Sequence, residues 1–323
     1  MGRKLVLIHP SSTFRIVDLG CSVGPNTFIA IQNIIEAVDL KYKSQSLSSS
    51  SSEACLEFHV FFNDHTSNDF NTLFASLSLE RRYFAAGVPG SFYTRLFPRA
   101  SLHFVHSSNA LHWLSQVPKE VVDINSPAWN KGRIHYTNAP NQVVEAYFAQ
   151  YAKDMEVFLH ARSEEIVCGG LMVLLVAAIP DGTPPSLSIL GILFDLLGCC
   201  LMDMAKMGIV DEAKVESFNL PAYTTSPQEV KALAKRNGCF SIERMEAILP
   251  SASNISFNPQ TLSNHIRAAT EGIIKKHFGS CSEILDQLFD HYTKKLEDSI
   301  SVLKSQRTIQ LFVLLKRNTN VSC

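Results

Sequence analysis

Two textures of apolar and polar positions divide this chain. Up to about residue 183, short apolar runs alternate with stretches of helical spacing. Phe14-Arg15-Ile16-Val17 is the first run, and Phe28, Ile31, Ile34 or Ile35, and Val38 then recur on one helical face. A second strand is predicted over Leu56–Phe62 and a third over Leu102–His106. A long helix follows, with Val144, Tyr147, Phe148, Tyr151, Met155, Phe158 and Leu159 on one face. It leads into Leu171–Ile179, which is uniformly apolar, as in a parallel strand covered on both sides, and Pro180-Asp181-Gly182 stops it. Strand and helix in alternation predict an α/β fold, a parallel sheet with helices on both faces.

From Pro184 the spacing turns mostly helical. Ser226-Pro227-Gln228-Glu229 reads as a capping box and Asn237-Gly238 as the stop of the same helix. Phe240–Glu243 is a candidate strand, amphipathic helices are expected near 261–278 and 282–300, and Thr308–Leu315 closes the chain as a strand. The predicted division is therefore an α/β core over residues 1–183, a mostly helical cap over 184–300 with a returning strand near 240, and a last core strand and tail over 301–323. The low-complexity tract Ser44–Ser52 is expected to be a surface loop.

Composition removes several function classes. The 29 basic residues balance 30 acidic ones to a net charge of −1, without a basic block, so no nucleic-acid partner is expected. Leu171–Ile179 is too short for a membrane span, and Asp195 interrupts the apolar run Leu187–Met202. Met1–Pro10 has a basic pair but too brief an apolar core for a signal peptide. Eight scattered cysteines without a CxxC pair read as free thiols of a reducing compartment, and a cytoplasmic location is the expectation.

Candidate chemistry begins at Val17-Asp18-Leu19-Gly20-Cys21-Ser22-Val23-Gly24-Pro25-Asn26, a strand, glycine turn and helix start. Glycine lets a backbone approach a ligand closely, and Pro25 suits a first helical position. The dinucleotide pattern G-x-G-x-x-G is not met, which favours a smaller adenosyl ligand lacking phosphates. Gly20-Cys21-Ser22-Val23-Gly24 also spells a hydrolase nucleophile elbow, but that elbow needs earlier strands to supply its oxyanion hole. Ser22 is accordingly read as a turn residue. Asp64, ending the second strand, can accept hydrogen bonds from both hydroxyls of a ribose; the alternative is an ordinary strand-end turn residue.

With those segments placed, the chain resembles the plant SABATH family of S-adenosylmethionine (SAM)-dependent methyltransferases. The resemblance rests on strings in family order: Asp18–Asn26, Phe62-Asn63-Asp64 with Asn68–Asn71, Gly87–Tyr93, Ser107–Ser115, Trp129–Gly132 and Ser217–Tyr223. It implies a class I, Rossmann-like SAM-methyltransferase sheet with a helical cap over the active site, a homodimer, and a role in plant secondary metabolism. It implies methyl transfer to the carboxylate of a small plant acid, or to a ring nitrogen of a xanthine-like heterocycle. SAM would be held by Asp18, Cys21, Asn26, Asp64, His65, Ser91 and Phe92, where His65 replaces the usual apolar residue. Asn109, His112 and Trp113 would contact the acceptor, with Trp113 offering its indole N–H to a carboxylate oxygen; the alternative for Trp113 is core packing. His112 stands where carboxyl methyltransferases often have methionine, and Asn109 replaces a tyrosine, so the pocket is expected to be more polar than one for salicylate.

The resemblance further implies a Mg²⁺ site at Asn130, Glu216, the main-chain carbonyl of Phe218, and Asn219, oxygen donors suited to a hard cation. Turn and loop residues are the alternative there. No catalytic acid or base is expected, because a carboxylate with a pKa of about 4 is ionised at neutral pH and needs only positioning. Residues Met1–Thr13 match nothing of the family's N-terminal segment, which closes over cofactor and substrate. A catalytically impaired paralogue, acting as a binding or dimer partner, is therefore the competing reading.

Overall fold

The computed structural model describes residues 13–46, 56–249, 257–279, 282–305 and 308–319. Seven strands form one sheet: β1 (Thr13–Leu19), β2 (Glu57–Asp64), β3 (Phe84–Pro89), β4 (Leu102–Ser108), β5 (Ile166–Ala178), β6 (Phe240–Ile248) and β7 (Ile309–Arg317). Their spatial order is β3-β2-β1-β4-β5-β7-β6; the first five run parallel, and β7 lies antiparallel between β5 and β6.

Eight α-helices accompany the sheet among the described residues: α1 (Asn26–Ser46), α2 (Phe70–Ala75), α3 (Asn141–Glu165), α4 (Ile189–Lys206), α5 (Glu212–Ser217), α6 (Pro227–Asn237), α7 (Pro259–Phe278) and α8 (Ser282–Lys304). One face of the sheet buries Ile16, Val60, Phe62 and Phe104 against Ile31, Ile34, Ile35 and Val38 of α1. The other buries Val17, Val105, Leu174 and Val313 against Tyr147, Tyr151, Met155 and Phe158 of α3 and Val230 and Leu233 of α6. Covering on both faces buries β4 almost throughout, His103 and His106 included, and makes the second half of β5 an unbroken apolar run.

A separate apolar cluster gathers α4, α5, α7 and α8 through residues such as Phe194, Leu197, Leu201, Val215, Ile266, Leu288 and Leu296. The buried Tyr292 hydroxyl of α8 donates to the Leu193 carbonyl of α4 at 3.0 Å, satisfying a polar atom inside it. The apolar stretch around Leu187–Met202 is thus a helix of this cluster, and no described helix is long and apolar enough to cross a membrane. The capping box forms as expected, with Gly238 at φ 72° ending α6.

Several expectations need correction. The segment Phe84–Pro89 is a strand, so Leu102–Ser108 is the fourth strand and not the third. As a sheet edge β3 leaves four of its six residues exposed and carries Gly87 and Pro89, so no hydrophobic pattern announces it. On α3 Val143 is buried in the core beside the half-buried Val144, and Phe148 is exposed. Ser44–Ser46 are the last residues of α1, while most of the serine tract lies outside the described residues. Cys21, Cys168, Cys199 and Cys200 are free thiols, but Cys239 is disulfide-bonded, contrary to the reading of free thiols throughout.

Candidate active site

Parallel strands β1, β2 and β4 end side by side, and the turns leaving their carboxyl ends converge there. Gly20 holds the first turn at φ 80°, and a Cβ on it would lie 2.3 Å from the Ala110 Cβ. Only glycine fits both the conformation and the space. At Gly24, by contrast, a Cβ would meet nothing within 4 Å, so the side of the turn nearer α1 is open. Main-chain N–H groups of Gly20 and Cys21 both donate to the Asn63 carbonyl, at 2.9 and 3.0 Å. The buried Asn63 amide in turn donates to the carbonyls of Val88 (2.7 Å) and Gly90 (3.0 Å), joining the ends of β1, β2 and β3. Asn63 stands inside one of the family strings, yet nothing in its spacing marks it as this junction.

Asp64 is half-buried, and its carboxylate is fixed by two main-chain donors: Ser22 N–H on Oδ2 at 2.8 Å and His65 N–H on Oδ1 at 2.7 Å. Each oxygen keeps a further lone pair for an outside donor. Asp18 is different. Its oxygens are taken by the Thr27 hydroxyl and by His106 Nδ1, the latter at 2.8 Å, inside the protein. It ties β1 to the first turn of α1 and to β4. Cys21 is also buried, and burial with the nearby Asp18 and Asp64 charges pushes its thiol well above the ordinary range, so it is not a nucleophile. Asn26 and His65 are exposed at the opening. Ser22, at φ 52°, bonds no histidine through its hydroxyl among the described residues, which leaves the hydrolase reading without its base.

After β3 the chain runs through Ser91, Phe92 and Tyr93. Phe92 is buried edge-on against Phe158, with ring centroids 6.1 Å apart. Arg162 and Glu165 on α3, both fully buried and paired at 2.8 Å, hold this loop by its backbone. Arg162 donates to the carbonyls of Phe92 (2.8 Å) and Thr94 (2.9 Å), and Glu165 accepts from the N–H groups of Leu96 (2.5 Å) and Phe97 (3.0 Å). Arg162 Nη2 also donates to Glu165 Oε1 at 3.0 Å, so these bonds offset part of the cost of burying two charges, while Arg162 Nε and Glu165 Oε2 have only each other. Sequence periodicity shows α3 only as an apolar face, so neither residue stands out in it.

Beyond β4, Asn109 adopts φ 51°, followed by Ala110, Leu111, His112 and Trp113. Strand-like pairing of Trp113 with Ala222, and bonds from Leu114 N–H to the Pro221 carbonyl (2.7 Å) and Tyr223 N–H to the His112 carbonyl (2.8 Å), fasten this turn to the chain entering α6. Trp113 is half-buried between His112 and Phe194 of α4, with centroids 5.1 and 6.3 Å away. Its indole N–H has no partner among the described residues. His112 is buried, Nδ1 has no hydrogen bond, and burial lowers its pKa to about 4, so the ring is neutral at pH 7.

The four metal candidates lie in the segment before α3 and around the end of α5, linked to the Trp113 turn through His135 and Ala222. Asn130, fully buried, donates to the His135 carbonyl (3.1 Å) and to Asn219 Oδ1 (2.7 Å), leaving its own Oδ1 without a partner. Asn219 Oδ1 also accepts from the Tyr147 hydroxyl at 3.2 Å. Asn130 Oδ1 is an orphaned acceptor of the kind a hard cation takes, but Asn219 presents an orphaned Nδ2 donor and an oxygen already occupied; Glu216 is half-buried. Among the described residues no cluster of three His, Cys, Asp or Glu side chains could hold a metal. A cleft of ≈ 380 Å³ is lined by residues 132–135, α4 and Lys295 of α8, and its Lys206 and Lys295 both face Asp203, at 3.6 and 2.9 Å.

A seven-stranded sheet with β7 antiparallel and convergent turns at the carboxyl ends of β1, β2 and β4 defines a class I SAM-dependent methyltransferase. Residues 3–318 match the family described as SAM dependent carboxyl methyltransferase, and the chain belongs to that family, known as SABATH. It is 49% identical over 317 residues to loganic acid O-methyltransferase of Catharanthus roseus, covering 97% of this chain and 83% of the relative. To farnesoic acid carboxyl-O-methyltransferase of Arabidopsis thaliana it is 38% identical over 316 residues, covering 98% and 88%. The solved structure of a loganic acid methyltransferase with SAH superposes with a TM-score of 0.92 at 48% identity, covering 99% of this chain and 90% of the other. The protein is therefore a SAM-dependent carboxyl O-methyltransferase.

Proposed function

We propose that this enzyme esterifies a small plant acid at the turn carrying His112 and Trp113, with SAM lying over the Gly20–Gly24 turn. Asp64 would take the ribose hydroxyls, Ser91, Phe92 and His65 the adenine, and Cys21 and Asn26 the methionine end. Asp18 would act indirectly, by holding Thr27 and His106. When bound, SAM would supply a methyl already activated on a positive sulfur, so a carboxylate acceptor would need no base. The chain's task is to orient that carboxylate and exclude water.

The observation that carries this reading is the free, half-buried indole N–H of Trp113 at the sheet edge, beside a neutral His112. A heterocyclic N–H acceptor would need a base instead, and a ring with a pKa of about 4 is a poor one at pH 7. Acids related to those named for the relatives, loganic and farnesoic acid, are the first to assay. Trp113→Phe keeps most of the ring but removes the donor, and should lower kcat/KM by about ten- to a hundredfold while SAH affinity stays within twofold. A lowered melting temperature with intact turnover would make Trp113 core packing.

A Mg²⁺ ion would take the orphaned Asn130 oxygen with Glu216 and the Phe218 carbonyl, Asn219 turning its amide to join, and would stabilise the fold without entering the chemistry. A rise in melting temperature with Mg²⁺ that Asn130→Ala abolishes supports it; identical melting in Mg²⁺ and EDTA refutes it. A homodimer in the cytoplasm is the expected working form, checked by light scattering and by localising a fluorescent fusion.

A further inference from the structure

We infer that Gln310, together with Asn109, forms an amide pair that selects acceptor acids bearing hydroxyl groups on their scaffold. The inference rests on the carboxyl-methylating reading above.

Gln310 is the second residue of β7, and antiparallel pairing sets it opposite Ala177 near the carboxyl end of β5. From there its Nε2 donates to Asn109 Oδ1 at 3.2 Å, across 201 positions of sequence. Asn109 is itself held. Its N–H donates to the Leu175 carbonyl at 2.8 Å, and its backbone sits at φ 51°, a conformation that asparagine tolerates better than most residues. Its Nδ2 makes only a long 3.4 Å contact to the Ser108 hydroxyl.

Asn109 is exposed and Gln310 half-buried, so the pair faces open space at the edge where the acceptor turn begins. His112 follows three residues later with an enclosed Nδ1 that lacks a partner. Within the pair one N–H and one lone pair are used. The Gln310 oxygen, its second N–H and most of the Asn109 amide stay available, so donors and acceptors alternate over a short distance. Hydroxyl groups, which both donate and accept, satisfy such a surface. An apolar ring laid against it strips the amides of water and returns nothing.

The test uses two pairs of acids matched in ring size: benzoate with 3,4-dihydroxybenzoate, and cyclohexanecarboxylate with a trihydroxylated cyclohexenecarboxylate. Methylation from labelled SAM and calorimetric binding to the SAH-saturated protein are both measured. The parent should prefer the hydroxylated member of each pair, and Gln310→Leu should reduce that preference by about tenfold with SAH affinity within twofold. Gln310→Asn, which keeps an amide, should recover part of it. A parent that prefers the bare acids, or a preference unchanged in Gln310→Leu, overturns the inference while leaving carboxyl methylation intact. Binding that follows Gln310 without any turnover supports the inference and refutes the acceptor reading. No binding of any acid refutes both.

Discussion

The Tyr93 hydroxyl donates to the main-chain carbonyl of Trp113 at 2.6 Å, so the loop after β3 and the turn after β4 are tied by one hydrogen bond. Tyr93 sits next to Phe92, whose carbonyl Arg162 holds, and Trp113 carries the free indole N–H. Whatever fixes the first loop therefore also fixes the second. Tyr93→Phe keeps the ring and removes the tie. It should lower kcat by roughly five- to tenfold, the cost of about 1 kcal/mol of lost positioning, with SAH affinity nearly unchanged. Parallel titration and steady-state kinetics decide it: unchanged kcat would make the bond incidental.

Asp64 offers both carboxylate oxygens at the opening, braced by Ser22 and His65. Asp64→Ala removes the acceptors for two ribose hydroxyls, each charge-assisted bond being worth roughly 1.5–3 kcal/mol, and should weaken SAH binding at least tenfold. Calorimetry within twofold of the parent would reassign the residue to bracing the turn alone.

Gly20→Ala places a methyl 2.3 Å from the Ala110 Cβ at a φ of 80°. Clash and backbone strain together should cost about 1–3 kcal/mol in denaturant unfolding, and displacement of the turn should weaken SAH binding in parallel. A fully stable variant with parental affinity would show the turn to be far more pliable than its packing implies.

Acid should destabilise the protein through its closed histidines. Burial lowers His112 to about 4 and His135 to about 3, against an ordinary 6.5. Between pH 6.5 and about 4 the unfolded chain binds protons that the folded one refuses, so stability present above 6.5 is lost as the pH falls. Urea midpoints at pH 7.5, 6 and 5 should decline, and His112→Gln should flatten the decline. Equal slopes in parent and variant would show that His112 takes up its proton in the folded state as readily as in the unfolded one.

Sequence by itself determined the alternation of strands and helices, the α1 face of Ile31, Ile34, Ile35 and Val38, the α6 cap at Ser226 and Gly238, and the family, through strings that recur in order. These are local facts: periodicity, capping and turn chemistry act over a few residues and leave their mark in consecutive positions. The tertiary structure alone decided what Asn63, Arg162, Glu165, Tyr93 and Gln310 do. Arg162 reaches a loop 68 to 70 positions away, and Gln310 meets Asn109 across 201. The edge strand β3 was invisible for a related reason, since its hydrogen bonds come from β2 and its side chains face water. Long-range hydrogen bonds carry no period along the chain; sheet order brings their partners together, and only folding creates that order.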